Sequence, residues 1–328
     1  MLAARVLVTL PGLESFLIGE CKALGVPVGA VDDGWIELDG EAGPAIADAG
    51  TLRAVVDVLW QGPDTEIPST LPPARRLWYE AQWINQGTRS AAACAAAARA
   101  ARHPEVLTHP DGPPGMVCLV NRRGTVLLGT ALAWGLERQR PYRVALMARS
   151  LNPAMGRALA MASRARAGQS FCDPFCGSGT VLAERALLGP CHLVGVDGDP
   201  RALDAAGRTL SGFVAQGLAT ADLRAGDAGR LDGLETASVD AVATNPPFGH
   251  RLGEVTNNAQ LYPAAFRAAA RILRPRGRLV VLTADRRHLR QALAACGRAL
   301  RLRSEVRVWL GGLEPTLGVY DRTEHPVV

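Results

Sequence analysis

From residue 150 onward, short apolar runs alternate with longer stretches whose apolar positions recur every three or four residues. Val239–Thr244 is one such run, and the chain from His192 to Val196 and within Ile272–Thr283 behaves alike. Short apolar runs bounded by turn residues read as strands, and a three-to-four period reads as helix. Val181–Leu188 has the helical period and follows its strand at once. Alternating strand and helix predicts a parallel sheet wound on both sides, an α/β Rossmann-like domain over 149–328. Leu151–Arg166 predicts a helix ahead of the first strand. Ser304–Leu310 and Thr316–Asp321, joined across Gly311-Gly312, predict a closing antiparallel hairpin.

The first 150 residues carry a different pattern. Arg5–Leu10 predicts a strand, and Leu13–Leu24 a helix with apolar positions Leu13, Phe16, Leu17 and Cys21. Trp35–Leu38 and Val55–Trp60 predict two more strands. This order fits a small ferredoxin-like α+β module over 1–65. A turn-rich break runs from Gly62-Pro63-Asp64 to Pro72-Pro73. Beyond it, alanine-rich Ser90–Arg102 predicts a helix by propensity. Met116–Val120 and Thr125–Leu132 predict a hairpin around Asn121-Arg122-Arg123-Gly124, and close a second module over 66–148.

At 328 residues the chain is long enough for two or three domains with full cores. No apolar run reaches the roughly 20 residues needed to cross a bilayer. Pro11 and Glu14 interrupt the first apolar stretch, which argues against a signal peptide. Lys22 is the only lysine, and every other basic side chain is arginine. Residues 1–65 carry net charge −7, while 66–150 and 151–328 each carry +6. That polarity suits an RNA partner gripped by the second and third modules. Arg122 and Arg123, at the hairpin turn, are candidates to touch phosphate. Seven cysteines in no CxxC spacing fit small buried residues in a reducing cytoplasm rather than a metal site or a disulfide framework.

The candidate chemistry sits at the strand ends. Asn245-Pro246-Pro247-Phe248 follows the run Val239–Thr244. The Asn245 side-chain oxygen and the Pro246 carbonyl are two acceptors able to hold one planar amine. The prolines fix φ and remove backbone donors. Phe248 can stack on the ring that carries the amine. Alone, an Asn-Pro turn also caps ordinary strands.

A second motif narrows the choice. Asp173-Pro174-Phe175-Cys176-Gly177-Ser178-Gly179-Thr180 joins a strand to a helix through a glycine loop. It lacks the Gly-Lys-Ser/Thr ending of a phosphate-binding loop, and Leu182 stands where a dinucleotide fingerprint has its third glycine. Asp173 would repel a pyrophosphate but suits a cationic amino-acid end. Asp197, eighteen residues after Gly179 and followed by Gly198, is placed to take both ribose hydroxyls. Asp227-Ala228 forms a third acidic strand end, within reach of an adenine amine. Together these point to S-adenosylmethionine, with Asn245 at the junction of cofactor and target. The helix predicted over Leu151–Arg166 would cover its methionine end.

The motifs DPFCGSGT (173–180), VGVDGD (194–199) and NPPFG (245–249), then Arg251-Leu252-Gly253, Leu261-Tyr262 and ILRPRGRLVVLT (272–283), resemble the THUMP-domain RNA guanine-N2 methyltransferases. Within them the resemblance is to the bacterial and archaeal enzymes acting at position 6 of the tRNA acceptor stem. Pro11-Gly12-Leu13-Glu14 resembles the start of that family's ferredoxin-like domain, and Arg138–Arg143 (RQRPYR) the segment ending THUMP. The resemblance implies a cytoplasmic, monomeric enzyme that methylates a guanine N2 in tRNA. Catalysis would fall to Asn245, Pro246 and Phe248, and RNA contacts to Arg140 and Arg143 besides the hairpin arginines. Ribosomal guanine N2, adenine N6 or a protein glutamine would suit the same Asn-Pro-Pro-aromatic tetrad. A DNA methyltransferase is a further alternative, and an RNA-binding adaptor retaining the cofactor fold is the one outside enzymology.

Overall fold

The computed structural model describes residues 5–40, 46, 48–63, 65–66, 77–79, 106–107, 116–120, 125–134, 136, 140–145, 147, 150–248, 258–309 and 313–327. The chain divides into two compact units. The first takes Met1–Glu137 and Val308–Glu314, and the second Arg138–Arg307 and Pro315–Val328.

Among the described residues, the first unit is built on eight strands: β1 (Arg5–Val8), β2 (Val28–Asp32), β3 (Trp35–Leu38), β4 (Ala54–Pro63), β5 (Leu77–Tyr79), β6 (Val106–Leu107), β7 (Met116–Val120) and β8 (Thr125–Trp134). They form one sheet in the order β2-β3-β1-β4-β8-β7-β5-β6. Successive side chains of a strand face opposite ways, and β1 shows it. Val6 and Val8 join Trp35, Val56 and Leu127 on one face. Leu7 joins Ile36, Val55 and the helix residues Leu17 and Cys21 on the other. The helix Glu14–Ala23 starts where Glu14 accepts hydrogen bonds from the N–H groups of Gly12 (2.9 Å) and Gly34 (2.8 Å).

The expected strands and the 116–132 hairpin are present, but β4 runs further than its turn signals suggested. Gly62 and Pro63 are its last two residues, opposite Val126 and Thr125 of β8. Proline is tolerated at a strand end, where its missing N–H disrupts little. The consequence is a sheet shared by residues on both sides of position 65. The helix expected over 90–102 lies outside the described residues.

The second unit holds β9 (Ser170–Asp173), β10 (Cys191–Asp197), β11 (Ala219–Ala225), β12 (Val239–Thr244), β13 (Leu273–Thr283), β14 (Leu300–Arg307) and β15 (Thr316–Arg322). Their order is β11-β10-β9-β12-β13-β15-β14. The first five are mutually parallel, and β15 runs antiparallel to both β13 and β14. Helices Pro153–Ser163, Thr180–Ala186, Pro200–Ala215, Asn258–Ile272 and Arg286–Ala295 complete it. Fully buried Val242, Leu279, Tyr262 and Phe266 belong to one core cluster with Cys172 and Tyr320. A buried Val or Leu of this kind contributes about 1.5–3 kcal/mol.

The closing hairpin forms between β14 and β15. Its connection differs from the expected turn, because Val308–Glu314 belongs to the first unit. There the Trp309 N–H donates to the Pro11 carbonyl (2.9 Å). Strand order reverses direction at β9, with β10 on one side and β12 on the other. Such a switch point opens a crevice at the carboxyl ends of parallel strands.

Candidate functional site

Asp173 ends the central strand and is 1% exposed. Its Oδ1 accepts hydrogen bonds from Thr244 Oγ1 (2.6 Å) and from the Phe175 N–H (3.1 Å). Burial pushes its carboxyl up to about 7, against the pull of those two donors and with a further push from the Asp197 charge. Pro174 is buried behind it. The chain then turns through Gly177 (φ 51°) and Gly179 (φ 80°), both left-handed. A Cβ on Gly179 would come within 3.2 Å of Ala206, whereas one on Gly177 would meet nothing within 4 Å. Glycine is therefore needed at 179 for packing as well as conformation, and at 177 the backbone faces open space.

Gly179 caps the helix that begins at Thr180, whose side chain is buried. Ser178 Oγ lies 2.8 Å from Ser150 Oγ, which in turn accepts from the Met147 N–H (3.0 Å). The Cys176 N–H donates to the Val196 carbonyl (3.0 Å), tying the loop to β10. Burial and the nearby carboxylates Asp173 and Asp197 push the Cys176 thiol up. Burial does the same to Cys172. Neither thiol is suited to act as a nucleophile.

Asp197 closes β10, and its two oxygens are oriented separately. Oδ2 accepts from the Gly177 N–H (2.9 Å) and Oδ1 from the Asp199 N–H (2.9 Å). A carboxylate has about four acceptor positions, so each oxygen keeps capacity for a ligand hydroxyl. Gly198 beside it is exposed. Asp227, just past β11, is exposed; its Oδ1 accepts from the Gly229 N–H (2.7 Å), and Ala228 next to it is buried.

Asn245 follows β12 directly. Its Oδ1 is buried and has no hydrogen-bond partner among the described residues. A buried amide oxygen without a donor costs about 1–3 kcal/mol and can accept an incoming N–H. Pro246 is buried, and Pro247 and Phe248 are half-buried. The Pro247 carbonyl accepts from Asn258 Nδ2 (3.2 Å) and from Tyr262 Oη (3.1 Å). The strand-end residues named from the sequence thus sit at the carboxyl ends of four strands, β11, β10, β9 and β12, adjacent in the sheet. Open space before Gly177, acceptors at Asp197 and Asp227, and the orphaned Asn245 oxygen fit S-adenosylmethionine set beside a target amine.

The arginine candidates fare differently. Arg122 and Arg123 lie outside the described residues. Arg140 belongs to the second unit, where its Nε donates to Glu184 Oε1 (3.1 Å) with the side chain 11% exposed. Tyr142 Oη donates to the same oxygen (2.6 Å), and Arg157 Nη1 lies 3.7 Å from Oε2. Arg140 thus has a buried carboxylate as one partner. Arg143 is half-buried. Sequence reasoning missed Glu184, Tyr142, Thr244, Asn258, Asp285 and His288 as site or support residues. Two of these carried a signal: Glu184 is a carboxylate in the largely apolar run Val181–Leu188, and Tyr142 stands in the RQRPYR segment.

Residues 140–316 match the family model described as UPF0020, RMKL-like, methyltransferase domain. The tRNA (guanine(6)-N2)-methyltransferase of Thermus thermophilus is 35% identical over 185 residues, covering 56% of this chain and 53% of that protein. The mouse tRNA (guanine(6)-N(2))-methyltransferase THUMP3 is 35% identical over 167 residues, covering 48% of this chain and 33% of that protein. The chain thus spans about a third to a half of these curated relatives. Among solved structures, TrmN from Thermus thermophilus aligns over 97% of this chain and 99% of its own, with a TM-score of 0.70 at 25% identity. No described helix is long and apolar enough to cross a membrane. With the matched segment covering more than half its length, and the glycine loop and strand-end acceptors within that segment, the chain belongs to the RMKL-like methyltransferase domain family.

Proposed function

We propose that the protein transfers a methyl group from S-adenosylmethionine to the exocyclic N2 of a guanine in tRNA, at position 6 of the acceptor stem. The observation that carries this reading is the buried Oδ1 of Asn245 at the carboxyl end of β12, without a partner among the described residues. The names of matched relatives such as the guanine(6)-N2 enzymes support this choice of base, atom and position. Asp197 holds the ribose hydroxyls, Asp227 the adenine amine, and the loop Asp173–Thr180 the methionine end. When bound, the cofactor would supply a sulfonium methyl whose carbon is open to in-line attack by the amine nitrogen, with S-adenosylhomocysteine as the leaving thioether. The guanine amine is a weak nucleophile, because its lone pair is delocalised into the ring. Asn245 Oδ1 and the Pro246 carbonyl accept its two N–H bonds, fix its direction and stabilise the positive charge that develops on nitrogen. The methylated nitrogen then loses a proton without a dedicated base.

A guanine N2 in a duplex lies in the minor groove, so the base is flipped out and Phe248 stacks on it. We read the first unit as a ferredoxin-like module and a THUMP-like module that grip the tRNA through its backbone, with Arg122 and Arg123 of that unit and Arg140 and Arg143 of the second as candidate contacts. The enzyme is read as a cytoplasmic monomer.

The test is transfer of labelled methyl to unmodified tRNA transcripts, followed by nucleoside analysis and mapping. The expected product is N2-methylguanosine at position 6. N6-methyladenosine, or label confined to ribosomal RNA, would overturn the substrate. Binding of tRNA and S-adenosylhomocysteine with no product under any salt condition would establish the adaptor.

Two expectations concern the cofactor. Asp197→Ala removes two acceptors for ribose and frees the Gly177 N–H. Charge-assisted hydrogen bonds contribute about 1.5–3 kcal/mol each, so affinity for S-adenosylhomocysteine should fall by at least about tenfold. Calorimetric titration giving wild-type affinity would refute the ribose assignment.

The second concerns Asp173. Its folded carboxyl, at about 7, lies above the ordinary value, so the folded chain binds this proton more tightly than the unfolded one. Its contribution to stability is complete below about pH 4 and is lost as pH rises through about 7. A cationic ligand amine beside it favours the carboxylate. Binding of S-adenosylhomocysteine at about pH 6 should therefore release a proton, and at about pH 8.5 should not. Titrations in buffers of different ionisation enthalpy measure this, and equal heats in all buffers at the lower pH would count against it.

A further inference from the structure

The Asn-Pro-Pro-Phe segment has few handles of its own. Two of its four residues lack an N–H, so its path is set largely through carbonyls and side chains. The Pro247 carbonyl has two lone pairs and two donors, Asn258 Nδ2 at 3.2 Å and Tyr262 Oη at 3.1 Å. Both donors come from the helix Asn258–Ile272, one turn apart, and both are at most 2% exposed.

Each donor is itself oriented from behind. Tyr262 Oη has a single hydrogen, given to Pro247, so at 2.7 Å it accepts from Thr283 Oγ1. Thr283 Oγ1 in turn accepts from the Asp285 N–H (3.0 Å). Asn258 gives its second amide hydrogen to Asp285 Oδ2 (2.9 Å). That oxygen also lies 2.6 Å from His288 Nδ1. Burial pushes the Asp285 carboxyl up, but its donors Asn258 and His288 outweigh this and hold it below its ordinary value. Two directed arms therefore start at Asp285 and converge on one carbonyl oxygen. One runs Asp285 N–H, Thr283, Tyr262, Pro247. The other runs Asp285 carboxylate, Asn258, Pro247. The first links the loop after β12 to the end of β13, the neighbouring strand.

We propose that Asn258 and Tyr262 are positioning residues for methyl transfer, a bracket rooted at Asp285 that fixes the Pro247 carbonyl and so the direction in which Asn245 and Phe248 face the target base. The proposal rests on the functional reading above. Neither residue touches the target base in this scheme, so their loss acts on the rate through loop geometry.

The variants are Tyr262→Phe, which keeps the ring and its stacking on Phe266, Asn258→Ala, and the pair together. Thr283→Val, which removes the donor behind Tyr262 and the acceptor of the Asp285 N–H, should have a smaller effect than Tyr262→Phe. In the double variant kcat should fall by about 10- to 100-fold, the scale of a small misplacement at a reacting centre. KM for tRNA and affinity for S-adenosylhomocysteine should stay within about threefold of wild type. Hydrogen exchange of a peptide spanning residues 244–248 should quicken in the same variant. An unchanged kcat overturns the proposal. So does a parallel fall in kcat, cofactor affinity and thermal stability, which a merely structural role would give. If wild type methylates no RNA, the functional reading has failed by itself, and hydrogen exchange still decides: unaltered exchange over residues 244–248 in the double variant refutes the bracket.

Discussion

Asn245→Ala is expected to lower the rate of methyl transfer to tRNA by about 10²-fold or more, the scale for losing one preorganised polar group at a reacting centre. Its Oδ1 is buried and meets no donor among the described residues, so folding has already borne the cost of desolvating it. An N–H arriving from the target amine gains the hydrogen bond without that cost. Alanine at this position removes the acceptor and leaves Thr244, which is tied to Asp173, in place. Affinity for S-adenosylhomocysteine should therefore change little, because Asp197, Asp227 and the glycine loop are untouched. Phe248→Ala should act differently, weakening the hold on the flipped base by about 1–3 kcal/mol if the ring stacks. Single-turnover transfer of labelled methyl separates the two, since it reads the chemical step apart from RNA binding. A variant at Asn245 that transfers methyl at the wild-type rate would remove the amine-holding role from this residue.

The strand ends were legible because each is written in a few consecutive residues. Phe171–Thr180 shows strand, carboxylate, glycine turn and helix in one window, and Asp197 and Asn245 each terminate an apolar run. The sheet delivers those termini to one edge, which follows from parallel strands alone. What stayed hidden depends on partners far along the chain. Thr244 and Asp173 are 71 residues apart, and Tyr142 and Glu184 are 42 apart. No local pattern marks such pairs. Local signals also misled where tertiary pairing overrode them. Gly62-Pro63 reads as a break, yet β8 holds both residues in its ladder. The apolar stretch after Arg307 reads as more strand, yet Val308 and Trp309 are buried in the first unit. Strand β2, Val28–Asp32, has glycine and two exposed positions and offers no run of the kind that flags a strand.

Glu184→Ala is expected to destabilise the second unit by about 3–5 kcal/mol, the scale for removing one partner of a buried ion pair. Glu184 is 0% exposed inside the helix that the glycine loop begins. Burial pushes its carboxyl up, opposed by Arg140, Tyr142 and Arg157. Arg140 comes from the segment that enters the unit, and Arg157 from the helix ahead of β9. Three stretches of chain thus meet on one carboxylate, and the Tyr142 ring lies against Phe213, 6.1 Å between centroids. Alanine would take this carboxylate from two arginines whose side chains are 11% and 10% exposed. Glu184→Gln keeps the shape and an acceptor for Tyr142, so its loss should be smaller. Folded domains hold only about 5–15 kcal/mol in total, so the alanine variant should show a large drop in denaturation midpoint. All six tryptophans lie in the first unit, and indole fluorescence would not report this loss. Far-ultraviolet circular dichroism follows most of the described helices, which belong to the second unit. A fragment starting at 150 would lack Arg140 and Tyr142 and should show part of the same weakness, whereas one starting at 138 should not. A loss below about 1 kcal/mol for Glu184→Ala would mean that the carboxylate contributes little to holding these segments together.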